Sequence, residues 1–179
     1  MTRGRLTKPA LAILLALLGG SAVAQHHKQH PPGQTPYAGL QQRAIKALSE
    51  EQIADLKAGR GMGLALAAEL NGYPGPMHVL ELREQLQLTA DQRRRFQQLF
   101  DGMKAEAIAV GETLIASEQA LDRRFSDKQM TPDELTRLTA HIGAAQGKLR
   151  AVHLKYHLLT ADLLTSAQRQ RYAELRGYR

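Results

Sequence analysis

Between Ala90 and Leu163 the chain carries two apolar stripes whose members recur every three or four residues. The first runs Phe96, Phe100, Met103, Ala107, Val110, Leu114, Leu121 and Phe125, with Ser117 in the one polar place. The second runs Leu135, Leu138, Ile142, Ala145, Leu149, Val152, Tyr156, Leu159 and Leu163 without a break. That spacing puts every member on one side of an α-helix, so each segment must bury a single narrow face. At 1.5 Å per residue each helix is on the order of 50 Å long. Only Ser126-Asp127-Lys128-Gln129 and its immediate neighbours separate them. A connection that short makes the helices antiparallel neighbours, with the two stripes forming the seam of a hairpin. Elsewhere the composition from Tyr37 onward favours Ala, Leu, Glu, Gln and Arg, strong helix formers, and no stretch alternates with the period of two that marks a strand. The expected fold class is all-α: a long antiparallel helical hairpin with shorter flanking helices.

Four helix starts are written as capping boxes, in which a hydroxyl accepts from the amide three residues on and a Gln or Glu there reaches back. They are Ser49 to Gln52, Thr89 to Gln92, Thr131 to Glu134 and Thr165 to Gln168. Pro132 suits the first position of its helix, where no backbone N–H is required. Leu48 with Ile53 and Met130 with Leu135 supply apolar staples at two of the starts, whereas Arg93 and Arg169 occupy the equivalent place at the others. Shorter helices are expected over Pro76 to Gln87, over Ser166 to Leu175, and in pieces between Tyr37 and Leu70. Asn71-Gly72-Tyr73-Pro74-Gly75-Pro76 is a broken connection between them. Leu154 and Leu158 lie off the second stripe and call for a further partner surface. A hairpin this long leaves one flank of its stripe wet in a monomer, so a homodimer is expected.

Residues 1–24 have the plan of a cleavable export signal. Arg3, Arg5 and Lys8 precede the apolar run Ala10 to Leu18, and Ala22-Val23-Ala24 supplies the small residues before the cut. The apolar run is about half the roughly 20 residues that a spanning helix needs. No later segment is apolar and long enough to span, so an exported protein with no membrane segment after cleavage is expected. Residues 25–36 (QHHKQHPPGQTP) form a polar, His- and Pro-rich tail. An N-terminal helical segment follows over residues 37–75, and the hairpin domain occupies residues 76–179. The chain has no cysteine, which excludes disulfides, thiolate metal sites and cysteine nucleophiles. Its formal charge is +7; taking the leader's three from the 24 basic residues leaves 21 against 17 acidic. That mild bias, with three Phe and no Trp, argues against a nucleic-acid partner. No nucleophile elbow, P-loop or HExxH motif is present, and Ser117, His141 and the scattered acids show no triad spacing, so catalysis is not expected.

Two helix starts share one word. Leu88-Thr89-Ala90-Asp91-Gln92 and Leu164-Thr165-Ser166-Ala167-Gln168 are both LTxxQ, and Leu48-Ser49-Glu50-Glu51-Gln52 is a looser copy. Paired LTxxQ words in a cysteine-free, all-helical chain behind an export signal resemble the Spy/CpxP family of periplasmic stress proteins. That family includes heavy-metal-resistance sensors and zinc-binding periplasmic chaperones. The resemblance covers Met77 to Tyr178; residues 37–76, with Gly59-Arg60-Gly61-Met62-Gly63, fall outside it. It implies a cradle-like dimer of hairpins in the periplasm, working without ATP or catalysis. The task it implies is holding unfolded periplasmic proteins or binding a membrane sensor protein. No cofactor is required for that.

The alternative that the resemblance carries is metal sensing. His153 and His157 are four apart, hence on one helical face, a spacing that lets two imidazoles share an ion. Metal-sensing relatives place a His-x-x-x-His or His-x-x-x-Met pair before the second LTxxQ and a His before the first. His153, His157 and His78 occupy those places here, and Glu81, one turn from His78, adds an oxygen; Asp101 is a further candidate. Three nitrogens and one carboxylate suit zinc, nickel, cobalt or copper alike. Two basic clusters, Arg93-Arg94-Arg95 and Arg123-Arg124, are candidate partner-binding sites, for acidic unfolded chains or a sensor's acidic face. Met62, Met77, Met103 and Met130 share no helical face, so no methionine copper box is expected, and Met103 is assigned to the core. The tail's His26, His27 and His30 offer weak ion capture at most.

Overall fold

The computed structural model describes residues 35–178. The expected export signal and nearly all of the His-rich tail lie outside the described residues. Within them the chain is all-helical, with no strand and no helix long and apolar enough to cross a membrane. After a short 3-10 turn at Leu40–Gln42 come α1 (Glu50–Ala58), α2 (Leu66–Glu69), α3 (Pro76–Glu81), α4 (Ala90–Ser126), α5 (Pro132–Leu163) and α6 (Ser166–Leu175). α4 and α5 form the antiparallel hairpin: Glu106 accepts from Lys155 and Tyr156, while near the turn Arg124 pairs with Glu134.

The stripes meet along the middle of the hairpin. Met103, Ala107, Val110 and Leu114 of α4 pack with Ile142, Ala145, Leu149, Val152 and Tyr156 of α5, and Leu56 of α1 closes the cluster. Both ends depart from the spacing. Toward the turn Phe125 and Leu135 are exposed, and Glu118 takes a buried place beside the polar Ser117. At the base α5 turns a different face inward: Leu158 and Leu159 are exposed, while His153, His157, Thr160 and Ala161 are buried. The reason is the neighbour. There α2 and α3, rather than α4 alone, cover α5, and they lie against its histidine side. Leu158 therefore has no covering surface among the described residues, contrary to the expectation that shorter helices would provide one.

Three capping boxes are complete, at Ser49, Thr89 and Thr165. The fourth is half made: Thr131 accepts from the Glu134 amide, but the Glu134 carboxylate turns to Arg124 and ties the hairpin turn instead. α3 also stops at Glu81, short of the expected Gln87. Turns over residues 82–87, ending with Gln87 at φ 51°, redirect the chain so that Leu86 and Leu88 both enter a second core with Val79, Phe96, Leu164 and Tyr172. A continuous helix would carry only one of those leucines inward.

The LTxxQ words meet in this second core. Leu88 and Leu164 are buried, and the Gln92 and Gln168 amides pair across the hairpin base at 2.9 and 3.1 Å. Each carboxamide oxygen also accepts from the amide of its own cap residue. Each nitrogen also donates to a main-chain carbonyl, Gln92 to Leu163 and Gln168 to Leu86.

The C-terminal part of α1 is held by close backbone approach. A Cβ on Gly111 of α4 would lie 2.8 Å from the Leu56 carbonyl oxygen, so α1 rests directly on the α4 backbone. Gly111→Ala should therefore lift α1 and cost about 1–3 kcal/mol. Urea denaturation and protease cleavage within residues 50–65 would show it; unchanged stability and unchanged cleavage would contradict that docking.

Candidate functional site

At the hairpin base the α1–α2 loop, α2 and α3 stand over the inner face of α4 and α5 and enclose a cleft of about 560 Å³. Gly59 (φ 65°) ends α1, and Arg60 turns back to pair with Asp55. The loop then holds Met62 at φ 45°, in the left-handed region where a side chain is disfavoured. Phe100, Met103, His153 and His157 make the floor of the cleft; Met62, Leu66 and Met77 make its exposed rim.

Three of the sequence-derived metal candidates, His78, His153 and His157, line this one cleft. Glu81 is exposed and does not line it, and neither does Asp101, which accepts from Gln97. Asp55 also lines the cleft and is held by Arg60, but the carboxylate buried in its wall is Glu69 of α2. It is buried and accepts from the Tyr172 hydroxyl, from the Tyr178 hydroxyl at 3.0 Å and from the Gly75 N–H at 3.1 Å. His78 Nδ1 stands 3.5 Å away, His157 Nδ1 3.7 Å and Arg176 Nε 3.8 Å. Burial alone would raise the Glu69 pKa. The approach of His78 and the two tyrosine hydroxyls outweigh it and hold the carboxyl down at about 2. Burial beside this carboxylate in turn pushes the Tyr172 phenol well above its ordinary range. Glu69 thus ties the C-terminal segment to α2, α3 and α5.

The histidines differ. His157 Nδ1 lies 2.7 Å from the Tyr73 carbonyl, which can only accept, so Nδ1 is the donor of that hydrogen bond. Nε2 rests against Gly75, where a Cβ would come within 2.8 Å. His153 is 2% exposed, and its Nε2 has no hydrogen-bond partner among the described residues. Burial, then the neighbouring His157, pushes its pKa below the ordinary value. His78 Nδ1 also makes no hydrogen bond, its approach to Glu69 being long. Among the described residues no three His, Asp or Glu side chains are arranged so as to hold an ion as they stand.

The arginine clusters are largely neutralised. Arg93 makes a two-pronged pair with Glu84, Arg94 and Arg95 both engage Asp91, and Arg124 is taken by Glu134. Glu69 escaped sequence reasoning because its partners lie up to 109 residues away. The one local hint was a lone acid in the apolar run Leu64 to Leu70. No family model, curated protein or solved structure matches the chain.

Acid should loosen this base in two steps. His153 takes up a proton more readily unfolded than folded, so stability falls as pH drops below its ordinary 6.5. Glu69 is depressed in the fold, so its contribution is full above its ordinary 4.5 and is lost as pH falls toward 2. Glu69→Gln should cost about 2–4 kcal/mol at pH 7 and remove the second step. Urea midpoints between pH 7 and pH 2.5 measure both; a wild-type profile flat below pH 4.5 would contradict the assignment.

Proposed function

We propose that this chain is a non-enzymatic envelope-stress protein of the Spy/CpxP kind, exported to the periplasm, that takes up apolar segments of unfolded proteins or of a membrane sensor without ATP. The observation that supports this reading best is the open, mostly apolar cleft with an exposed apolar rim. Met62, Leu66, Leu70, Tyr73 and Met77 are all exposed within one 16-residue segment around it. A soluble fold gains nothing from leaving so many apolar side chains together in water unless they meet a partner. Methionine side chains on the rim suit clients of differing shape, being unbranched and polarisable. Leu158 and Leu159, exposed together on α5, support the pairing of two hairpins into a cradle-like homodimer. The paired arginines favour the cleft over the arginine clusters as the docking surface.

A specific observation favours a second reading, a heavy-metal-binding sensor. His78, His153 and His157 share the cleft, two of them carry a buried nitrogen without a hydrogen bond, and the third donates from Nδ1 to a carbonyl. A carbonyl in that place commonly orients a metal-ligating histidine. Binding would draw α3, which carries His78 and the rim residue Met77, toward the α5 histidines and so alter the rim that a partner meets.

The first reading predicts that the purified protein, at near-stoichiometric ratio, suppresses aggregation of a heated or reduced client. Leu66→Ser with Leu70→Ser, both at exposed positions, should abolish most of that suppression while the helical circular dichroism is kept. Undiminished suppression by the double variant would overturn the cleft as the client site. The second reading predicts that His153→Ala with His157→Ala removes transition-metal binding measured by calorimetry; unchanged affinity for zinc and nickel would end it.

A further inference from the structure

We propose that the cleft is a thioether–imidazole site for a soft monovalent ion, Cu(I) or Ag(I), held by Met62, Met77 and Met103 together with His153. The proposal rests on the second reading above, that the cleft takes a metal, and goes beyond it in the ion and the ligand set. Three of the four methionines among the described residues line this one cleft, and they arrive from three different elements: the α1–α2 loop, α3 and α4. They share no helical face, so only the tertiary fold assembles them.

The donors available decide the class of ion. Two carboxylates line the cleft, and both are engaged: Asp55 with Arg60, Glu69 with two tyrosine hydroxyls and the Gly75 amide. Hard or borderline divalent ions would have to compete for those oxygens. What remains is thioether sulfur, which favours a soft ion such as Cu(I), and imidazole nitrogen, which accepts one. His153 contributes a nitrogen that is already desolvated and unpartnered. A buried polar atom in that state costs about 1–3 kcal/mol, which a bound ion would recover. A single positive charge is also less costly than a double one in a cleft with mostly apolar walls.

Met62 supplies an independent sign. It sits between Gly61 and Gly63 at φ 45°, a conformation a glycine would take without strain. Instead a long, soft side chain is held there on the rim. Met62 and Met77, both exposed, are free to swing onto an ion, whereas Met103 and His153 are fixed in the floor. Closure of the rim by the ion would draw these donors together.

The test uses the chain without residues 1–24, with His26, His27 and His30 replaced by Ser, so that the tail offers no imidazole. Cu(I) is titrated anaerobically against a chromophoric Cu(I) chelator, and Ag(I), Zn(II) and Ni(II) are titrated by calorimetry. One Cu(I) per chain is expected, bound at least about 100-fold more tightly than zinc or nickel. X-ray absorption should show sulfur in its shell. Met62→Leu with Met77→Leu, near-isosteric changes at exposed positions, should weaken Cu(I) by about tenfold or more and leave zinc unchanged. Zinc or nickel binding at least as tight as Cu(I), a shell without sulfur, or an unaffected double variant would overturn this proposal while leaving the metal reading standing. Absence of binding by all four ions would overturn both.

Discussion

Everything in this molecule hangs on two apolar stripes that match along only part of their length. From Met103 to Leu114 on α4, and from Ile142 to Tyr156 on α5, they close on each other as a continuous core. Burying each of its larger aliphatic side chains is worth about 1.5–3 kcal/mol relative to exposing it, enough to commit both helices to one antiparallel register. Past that zone the chain must find other means. At the turn it uses charge, with Arg124 on Glu134. At the base it uses polar pairing and a second core, and there the interior holds chemistry as well as leucine.

The recurring LTxxQ word has a physical reason in that base. Its threonine caps a helix and its leucine enters the second core. Its glutamine does three tasks at once: it returns to its own cap, binds a carbonyl of the neighbouring segment, and pairs with its counterpart in the other copy. A carboxylate could accept but not donate, so it could not serve on both sides of this amide pair. Two copies are needed because each satisfies the other. The clasp sets where α6 leaves α5, which brings Tyr172 and Tyr178 onto Glu69 and so braces α2 and α3 over the cleft.

Much of the fold was legible in the chain. The starts of α1, α4, α5 and α6 follow from their caps, and the middle of the seam follows from three-four spacing. What escaped depends on contacts that spacing cannot express. Helical periodicity placed Leu159 inward and left His153 and His157 at the margin, because it assumes one partner per helix; the arrival of α2 and α3 rotates the buried face. Nothing in the spacing marks Gly111, yet the backbone of α1 rests on it. His78, His153 and His157, singled out from their order relative to the LTxxQ words, line one cleft. Glu81 is exposed and outside that cleft, whereas Glu69, whose partners are distant in sequence, lies in its wall. A helical wheel tests one helix at a time, so it could not show that Met62, Met77 and Met103 line one cleft.

The account's central claim is that binding happens at the base cleft rather than along the outer faces of the hairpin. Backbone amide chemical-shift mapping of the chain without residues 1–24, during titration with a reduced, unfolded client, tests it most directly. The account predicts shifts concentrated in residues 58–78, 100–104 and 153–157, with little change near Phe125 and Leu135. Shifts centred on the hairpin turn or on Arg93 to Arg95, with the cleft undisturbed, would contradict it.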